Sequence, residues 1–176
     1  MVISLIGYRG SGKSSVARLL AAALAIPWVD SDDLIEERAG RSIREIFEED
    51  GEREFRRLEQ DVIRELTRKD SLVIAAGGGA ILAAENRRWM KEAGPVVWLQ
   101  ASTLQLAKRI QQDETTGERR PSLTGQSVAA EIDTVLASRL AQYEDAATIT
   151  VLTDGLSPEP VAAEIRRQLT RTGASP

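Results

Sequence analysis

Residues Gly7-Tyr8-Arg9-Gly10-Ser11-Gly12-Lys13-Ser14 spell the pattern GxxxxGK[ST], with an additional glycine at position 10. No other feature constrains the fold of this chain as strongly. Such a loop turns tightly at its glycines and aims successive backbone N–H groups at one phosphate. The pattern carries that meaning when it joins a buried strand to a helix. Both neighbours are present: residues 2–6 are a short apolar run, and residues 14–24 are rich in Ala and Leu. The competing reading is an ordinary glycine-rich strand-to-helix turn.

The rest of the chain repeats that alternation. Short apolar runs at 27–29, 72–76, 96–99 and 148–152 alternate with helical stretches, the pattern of a parallel α/β sheet. Helices are expected over 32–39, from Ile43, over 52–68, 83–93, up to 112, over 128–145, and from Pro158. Ser42 followed by Glu45 is a capping-box signature, and Ser157 before Pro158 marks a second helix start. Residues 113–126 are polar and include Gly117, Arg119, Arg120, Pro121 and Gly125. Loops that long in compact domains are usually functional or disordered, so this one is a candidate mobile lid. With 176 residues, no internal repeat and no linker, residues 1–176 read as one domain.

Composition narrows the chemistry. The formal charge of -4 argues against a nucleic-acid binder, and no apolar run is long enough to span a membrane. With 42% hydrophobic residues the chain can build a core, and a cytoplasmic location is expected. It contains no cysteine and no histidine, which removes thiol chemistry, the commonest general base and the commonest zinc ligand. Asp, Glu, Lys, Arg, hydroxyls and backbone amides remain.

Lys13 can bridge phosphates and the Ser14 hydroxyl can ligate Mg²⁺. Asp30-Ser31-Asp32 follows the second strand, at the carboxyl end where open α/β sheets bind ligands. If this segment stays extended its two carboxylates point the same way; the alternative is helix capping by a helix-terminal acid. Gly77-Gly78-Gly79 also follows a strand, which suits close approach to a ligand or a turn needing steric relief. Arg56 and Arg57 are adjacent on a helix, so at most one faces a cleft. Arg119 and Arg120 lie in the long loop and Arg139 on the helix beyond it; an arginine in a lid suits phosphoryl transfer.

The run Asp30-Ser31-Asp32-Asp33-Leu34-Ile35-Glu36, with Gly40, Ser42-Ile43, Glu45-Ile46-Phe47, Gly51-Glu52, Phe55-Arg56 and Glu59, resembles the shikimate kinase family. The phosphate loop, the triple glycine, the Arg-Pro of the long loop and the arginine beyond it add to the likeness, which covers about residues 1–147. The resemblance implies a P-loop kinase fold like that of nucleoside monophosphate kinases. That fold is three-layered α/β/α, with a five-stranded parallel sheet of order 2-3-1-4-5, an acceptor-binding segment at about 32–68 and a mobile lid at about 113–126.

It also implies ATP-dependent phosphorylation of the 3-hydroxyl of shikimate, with Mg²⁺ as cofactor, in a monomer that binds neither nucleic acid nor membrane. Gly10, Ser11, Gly12, Lys13, Ser14, Ser15, Arg109 and Arg120 would surround ATP, with 153–158 bordering adenine. Ser14 would ligate Mg²⁺, and Asp30 would support it through water. Asp32, Arg56, Gly78, Gly79 and Arg139 would bind shikimate, the two arginines holding its carboxylate. Lys13, Asp32 and Arg120 would be catalytic. The loop reads Arg120-Pro121-Ser122-Leu123 where the family usually has Arg-Pro-Leu-Leu. Gluconate kinases, nucleoside monophosphate kinases and a non-catalytic nucleotide-binding module are the competing readings. The first would use a histidine that this chain lacks, the second needs a base-reading pocket with no counterpart here, and the third would be expected to lose Lys13, Asp32 or the lid arginine.

Overall fold

The computed structural model describes residues 1–112 and 128–171. Five strands form one parallel sheet: β1 (Val2–Ile6), β2 (Trp28–Asp30), β3 (Leu72–Ala75), β4 (Val96–Gln100) and β5 (Ile149–Leu152). Their order is β2-β3-β1-β4-β5, as the resemblance implied. The register pairs Leu5 with Ala75 and with Val97, so β1, β3 and β4 end at nearly the same level. Loops leaving those ends therefore gather at one edge of the sheet.

Side chains of the strands alternate between two cores, as the period of two requires. Ile3, Leu5, Val73, Ala75, Val97 and Leu99 face one side, where they meet α1 (Lys13–Leu24) and α8 (Pro158–Arg171). Val2, Ile6, Ile74, Val96 and Trp98 face the other. That side is covered by α4 (Gly51–Leu66), α5 (Ala84–Ala93) and α7 (Val128–Ala146), with α2 (Ser31–Ala39) and α3 (Ile43–Glu49) beside them. The remaining helix, α6 (Thr103–Gln112), packs on α7 through a small third cluster that includes Tyr8, Leu106 and Ile132.

The local signals operate as expected. Ser42 Oγ accepts the N–H of Glu45, whose carboxylate accepts the N–H of Ser42, which starts α3. Ser102 Oγ accepts the N–H of Gln105 at the head of α6. Several boundaries differ from the sequence reading by one or two residues, α4 for example ending at Leu66 where residue 68 was expected. Helix α2 begins at Ser31 instead of Asp32, and a short 3₁₀ turn at Ala80–Leu82 precedes α5. The expected lid at 113–126, with Arg119 and Arg120, lies outside the described residues.

Candidate active site

The phosphate loop joins β1 to α1. Gly10 and Gly12 adopt φ of 77° and 90°, left-handed conformations in which a side chain would be strained. The N–H of Ser11 closes a turn onto Tyr8 O at 3.1 Å, and Gly12 caps α1 without any side-chain hydrogen bond. The first turn of α1 contains no acidic residue, so its amides and dipole present uncompensated positive potential. Lys13 reaches back across the loop, where Nζ donates to Gly7 O and to Tyr8 O, both at 3.0 Å. This is a cradle for an anion with its cation already in place.

At the end of β2 the structure takes the capping alternative for Asp30-Ser31-Asp32 over the extended one. The chain enters α2 at Ser31, because Asp30 caps the helix by accepting the N–H of Asp32 on Oδ1 at 3.0 Å. The carboxylates of Asp30 and Asp32 thereby point in different directions. The second oxygen of Asp30 accepts the Ser14 hydroxyl at 2.6 Å, joining the carboxylate to the phosphate loop. Two hard oxygen donors beside a phosphate cradle match the ligand preference of Mg²⁺, which keeps several waters and takes its other ligands from phosphates. Among the described residues no three acidic side chains converge into a protein cage for a metal.

Asp32 turns the other way, toward Gly77-Gly78-Gly79. The space that a Cβ on Gly77 would occupy is filled by the Asp32 carboxylate, whose Cγ would be 3.1 Å from it. A Cβ on Gly79 would come within 2.8 Å of Arg56 Cζ. Between them, Gly78 O accepts Nη1 of Arg139 at 3.1 Å. Three side chains from α2, α4 and α7 thus meet one turn, one at each successive glycine. The turn itself is tied to the start of α2, since the N–H of Gly77 donates to the buried Ser31 hydroxyl at 2.8 Å.

Only one of the paired arginines enters this cleft. Arg57 is exposed and bridges Glu54 and Asp61. Arg56 donates from Nη1 to Glu59 at 2.8 Å, and Glu59 is 1% exposed. Burial works against the charge of Arg56, but the Glu59 and Glu52 carboxylates and their hydrogen bonds together more than offset this, so the guanidinium stays ionised more firmly than usual. Arg56 also donates to Glu52 at 3.1 Å. Arg139, bonded to Gly78 O, brings a second guanidinium to the same glycine-floored turn, a donor that suits a carboxylate.

On the other flank of the phosphate loop, Arg109 of α6 donates to Thr153 Oγ1 at 3.1 Å and to Thr153 O at 2.7 Å. These residues, with Ser11, Gly12, Ser15, Leu156, Ser157 and Pro158, line a cavity of about 210 Å³. Of the residues named from sequence for adenine, Arg109, Thr153, Leu156, Ser157 and Pro158 thus share one cavity with the head of α1. Sequence reasoning had given no role to Glu59, Ser31 or Gly77. Glu59 was detectable, since it follows Arg56 at the i,i+3 spacing that brings helix side chains together.

The site as a whole runs along the carboxyl ends of the strands, with a phosphate cradle in the centre, a cavity of mixed lining on the β4–β5 side and a glycine-floored pocket carrying Arg56, Arg139 and Asp32 on the β2–β3 side. Such an arrangement can hold a nucleotide and a small anionic acceptor against each other. The family model for shikimate kinase matches residues 9–170. A shikimate kinase of Rhodopirellula baltica is 43% identical over 161 residues, covering 92% of this chain and 86% of that one. One of Symbiobacterium thermophilum is 40% identical over 173 residues, 98% of each chain. The solved structure of shikimate kinase from Acinetobacter baumannii in complex with shikimate superposes with a TM-score of 0.90 at 34% identity, covering 97% of this chain and 93% of that chain.

Proposed function

We propose roles for these side chains from an established premise: this chain belongs to the shikimate kinase family. It is a phosphotransferase that uses ATP to phosphorylate shikimate. The observation that carries the division of labour is the meeting of Asp32, Arg139 and Arg56 at three successive glycines, next to the phosphate loop.

In this reading the β- and γ-phosphates of ATP lie on the backbone N–H groups of residues 10–15. Lys13 moves its Nζ from the loop carbonyls to the phosphates. The adenine side of the nucleotide occupies the cavity beside Arg109 and residues 153–158. Ser14 and, through water, Asp30 would hold Mg²⁺, which when bound would screen the phosphate charge. Arg56 and Arg139 clamp the shikimate carboxylate, with Gly78 and Gly79 as the floor. That clamp directs the 3-hydroxyl toward Asp32, which orients it for in-line attack on the γ-phosphorus. Little covalent chemistry is left to the protein in such a transfer, so alignment and charge neutralisation account for most of the acceleration. Arg120 adds positive charge to the migrating phosphoryl group. Every side chain named comes from one chain, so a monomer is sufficient. Among the described residues no helix is long and apolar enough to cross a membrane.

The test is turnover of the purified chain with ATP and Mg²⁺, comparing shikimate with gluconate as acceptor and including Lys13→Ala. ADP release that depends on shikimate and falls at least about a hundredfold in the variant is expected. Equal turnover with gluconate would overturn the acceptor assignment. Near-parental turnover in Lys13→Ala would overturn the role of the loop.

A further inference from the structure

The phosphate loop contains a second cation whose position the reaction as described does not use. Arg9 lies between Tyr8 and Gly10, and its Nη2 donates to Glu131 Oε1 at 3.0 Å across 122 residues of sequence. Glu131 belongs to the first turn of α7 and is 2% exposed, while Arg9 is 20% exposed. The Arg9 guanidinium also lies over the Tyr8 ring, 5.8 Å from its centroid. Burial raises the Tyr8 hydroxyl pKa, the charge and hydrogen bond of Arg9 oppose this, and the charges of Glu131 and Arg139 also reach it.

We propose that Glu131 is a positioning residue for the phosphate loop, acting through Arg9. This rests on the reading that ATP phosphates occupy the loop. Gly10 follows Arg9 and, with Gly12, flanks Ser11 in left-handed conformations that glycine leaves free to change, so contacts to other groups help to set the loop's shape. Lys13 supplies two such contacts, but the same Nζ is needed by the phosphates. The Arg9–Glu131 pair remains as a brace when Lys13 turns to the nucleotide.

Helix α7 is well placed to provide that brace. Its far end is fixed to α5, where Asp145 accepts Arg87 at 2.5 Å and Lys91 at 2.9 Å. Two turns beyond Glu131 it carries Arg139, bonded to Gly78 O. One rod thus spans from the phosphate loop to the acceptor pocket. Stability alone is a poor reason for such a pair. Replacing a buried ion pair by apolar residues is often neutral or stabilising, whereas removing one partner strands a charge.

That asymmetry supplies the test. Arg9→Met, Glu131→Leu, the double variant and Glu131→Gln are compared for melting temperature, for KM of ATP and for shikimate affinity measured without nucleotide. Each single variant is expected to melt earlier than the parent. The double variant is expected to regain the parental melting temperature yet keep a KM for ATP raised at least about fivefold, with shikimate affinity changed by less than about twofold. Glu131→Gln, which preserves shape, is expected to raise the KM for ATP in the same direction. A double variant with both parental melting and parental KM would overturn the proposal. Equal losses of ATP and shikimate affinity in Glu131→Gln would do the same, showing a general loosening of the fold. Shikimate-dependent turnover of the parent protein is read separately, so failure of the brace is distinguishable from failure of the kinase assignment.

Discussion

Gly79 and Arg56 share one volume: a Cβ at position 79 would lie 2.8 Å from Cζ of the guanidinium. The clash falls on the far end of a flexible side chain, which can swing aside at little cost to the fold. Its cost falls on the acceptor pocket instead. Gly79→Ala is therefore expected to raise the KM for shikimate about tenfold, equivalent to about 1.4 kcal/mol, while the melting temperature and the KM for ATP stay near parental values. Steady-state kinetics with each substrate varied in turn checks it. A larger effect on ATP than on shikimate would place Arg56 outside the acceptor pocket.

The adjacent arginines give an internal control. Arg56 is held by the buried Glu59, whereas Arg57 pairs only with Glu54 and Asp61 on the helix surface. Removing a charged hydrogen bond to a ligand costs about 1.5–3 kcal/mol, so Arg56→Ala should weaken shikimate binding about ten- to a hundredfold. Arg57→Ala should leave it unchanged, because exposed pairs of that kind contribute little. Calorimetric titration of shikimate into both variants distinguishes them. Loss of affinity in Arg57→Ala would mean that the helix presents the other face to the substrate.

The contrast between those two arginines shows what the sequence could carry. Strand and helix positions were legible because apolar runs and caps are local signals, and a parallel sheet leaves its strands apolar on both faces, whereas the strand order came only from the family resemblance. The glycine triplet was legible as a place of close approach, but not which side chains approach it. Asp32 and Arg56 reach Gly77 and Gly79 from helices distant in sequence, so no spacing rule connects them. Capping by Asp30 decided the start of α2; the sequence allowed a cap or an extended pair, and only the fold brings the Ser14 hydroxyl to the second oxygen. The Arg9–Glu131 pair was invisible for the same reason, its partners being 122 residues apart.

The anchor of α7 on α5 gives the fold a pH dependence of known sign. Hydrogen bonds from Arg87 and then Lys91 hold the Asp145 carboxyl below its ordinary value of 3.8. A carboxyl depressed in the folded state contributes stability above its unfolded pKa and loses it as pH falls through the folded one. Asp145→Asn is accordingly expected to melt below the parent at pH 7. The gap should narrow below about pH 4 as the parental carboxyl is protonated. Thermal melts of both proteins across that range check this. A gap that stayed constant down to pH 2 would show that the carboxylate charge is irrelevant to the anchor.

Asp32 is the acidic side chain on which the reaction itself should depend. A proton must leave the attacking hydroxyl, and the chain has no histidine to receive it. Asp30 is committed on both oxygens, one to the N–H of Asp32 and one to the Ser14 hydroxyl. Asp32 instead lies against Gly77, in the pocket that Arg56 and Arg139 complete. In a loose transition state the hydroxyl keeps its proton until late, so orientation matters before proton transfer does. Asp32→Asn retains the shape and one acceptor oxygen, and it should still lower kcat at least about tenfold, about 1.4 kcal/mol. The pH profile then separates two roles. If Asp32 also receives the proton, the acidic limb of the parental profile flattens in the variant. If it only orients the hydroxyl, the whole profile drops while keeping its shape, because the remaining limb belongs to the ionisation of the nucleotide phosphates. Parental turnover in Asp32→Asn would remove this carboxylate from the reaction and leave alignment to the arginine clamp alone.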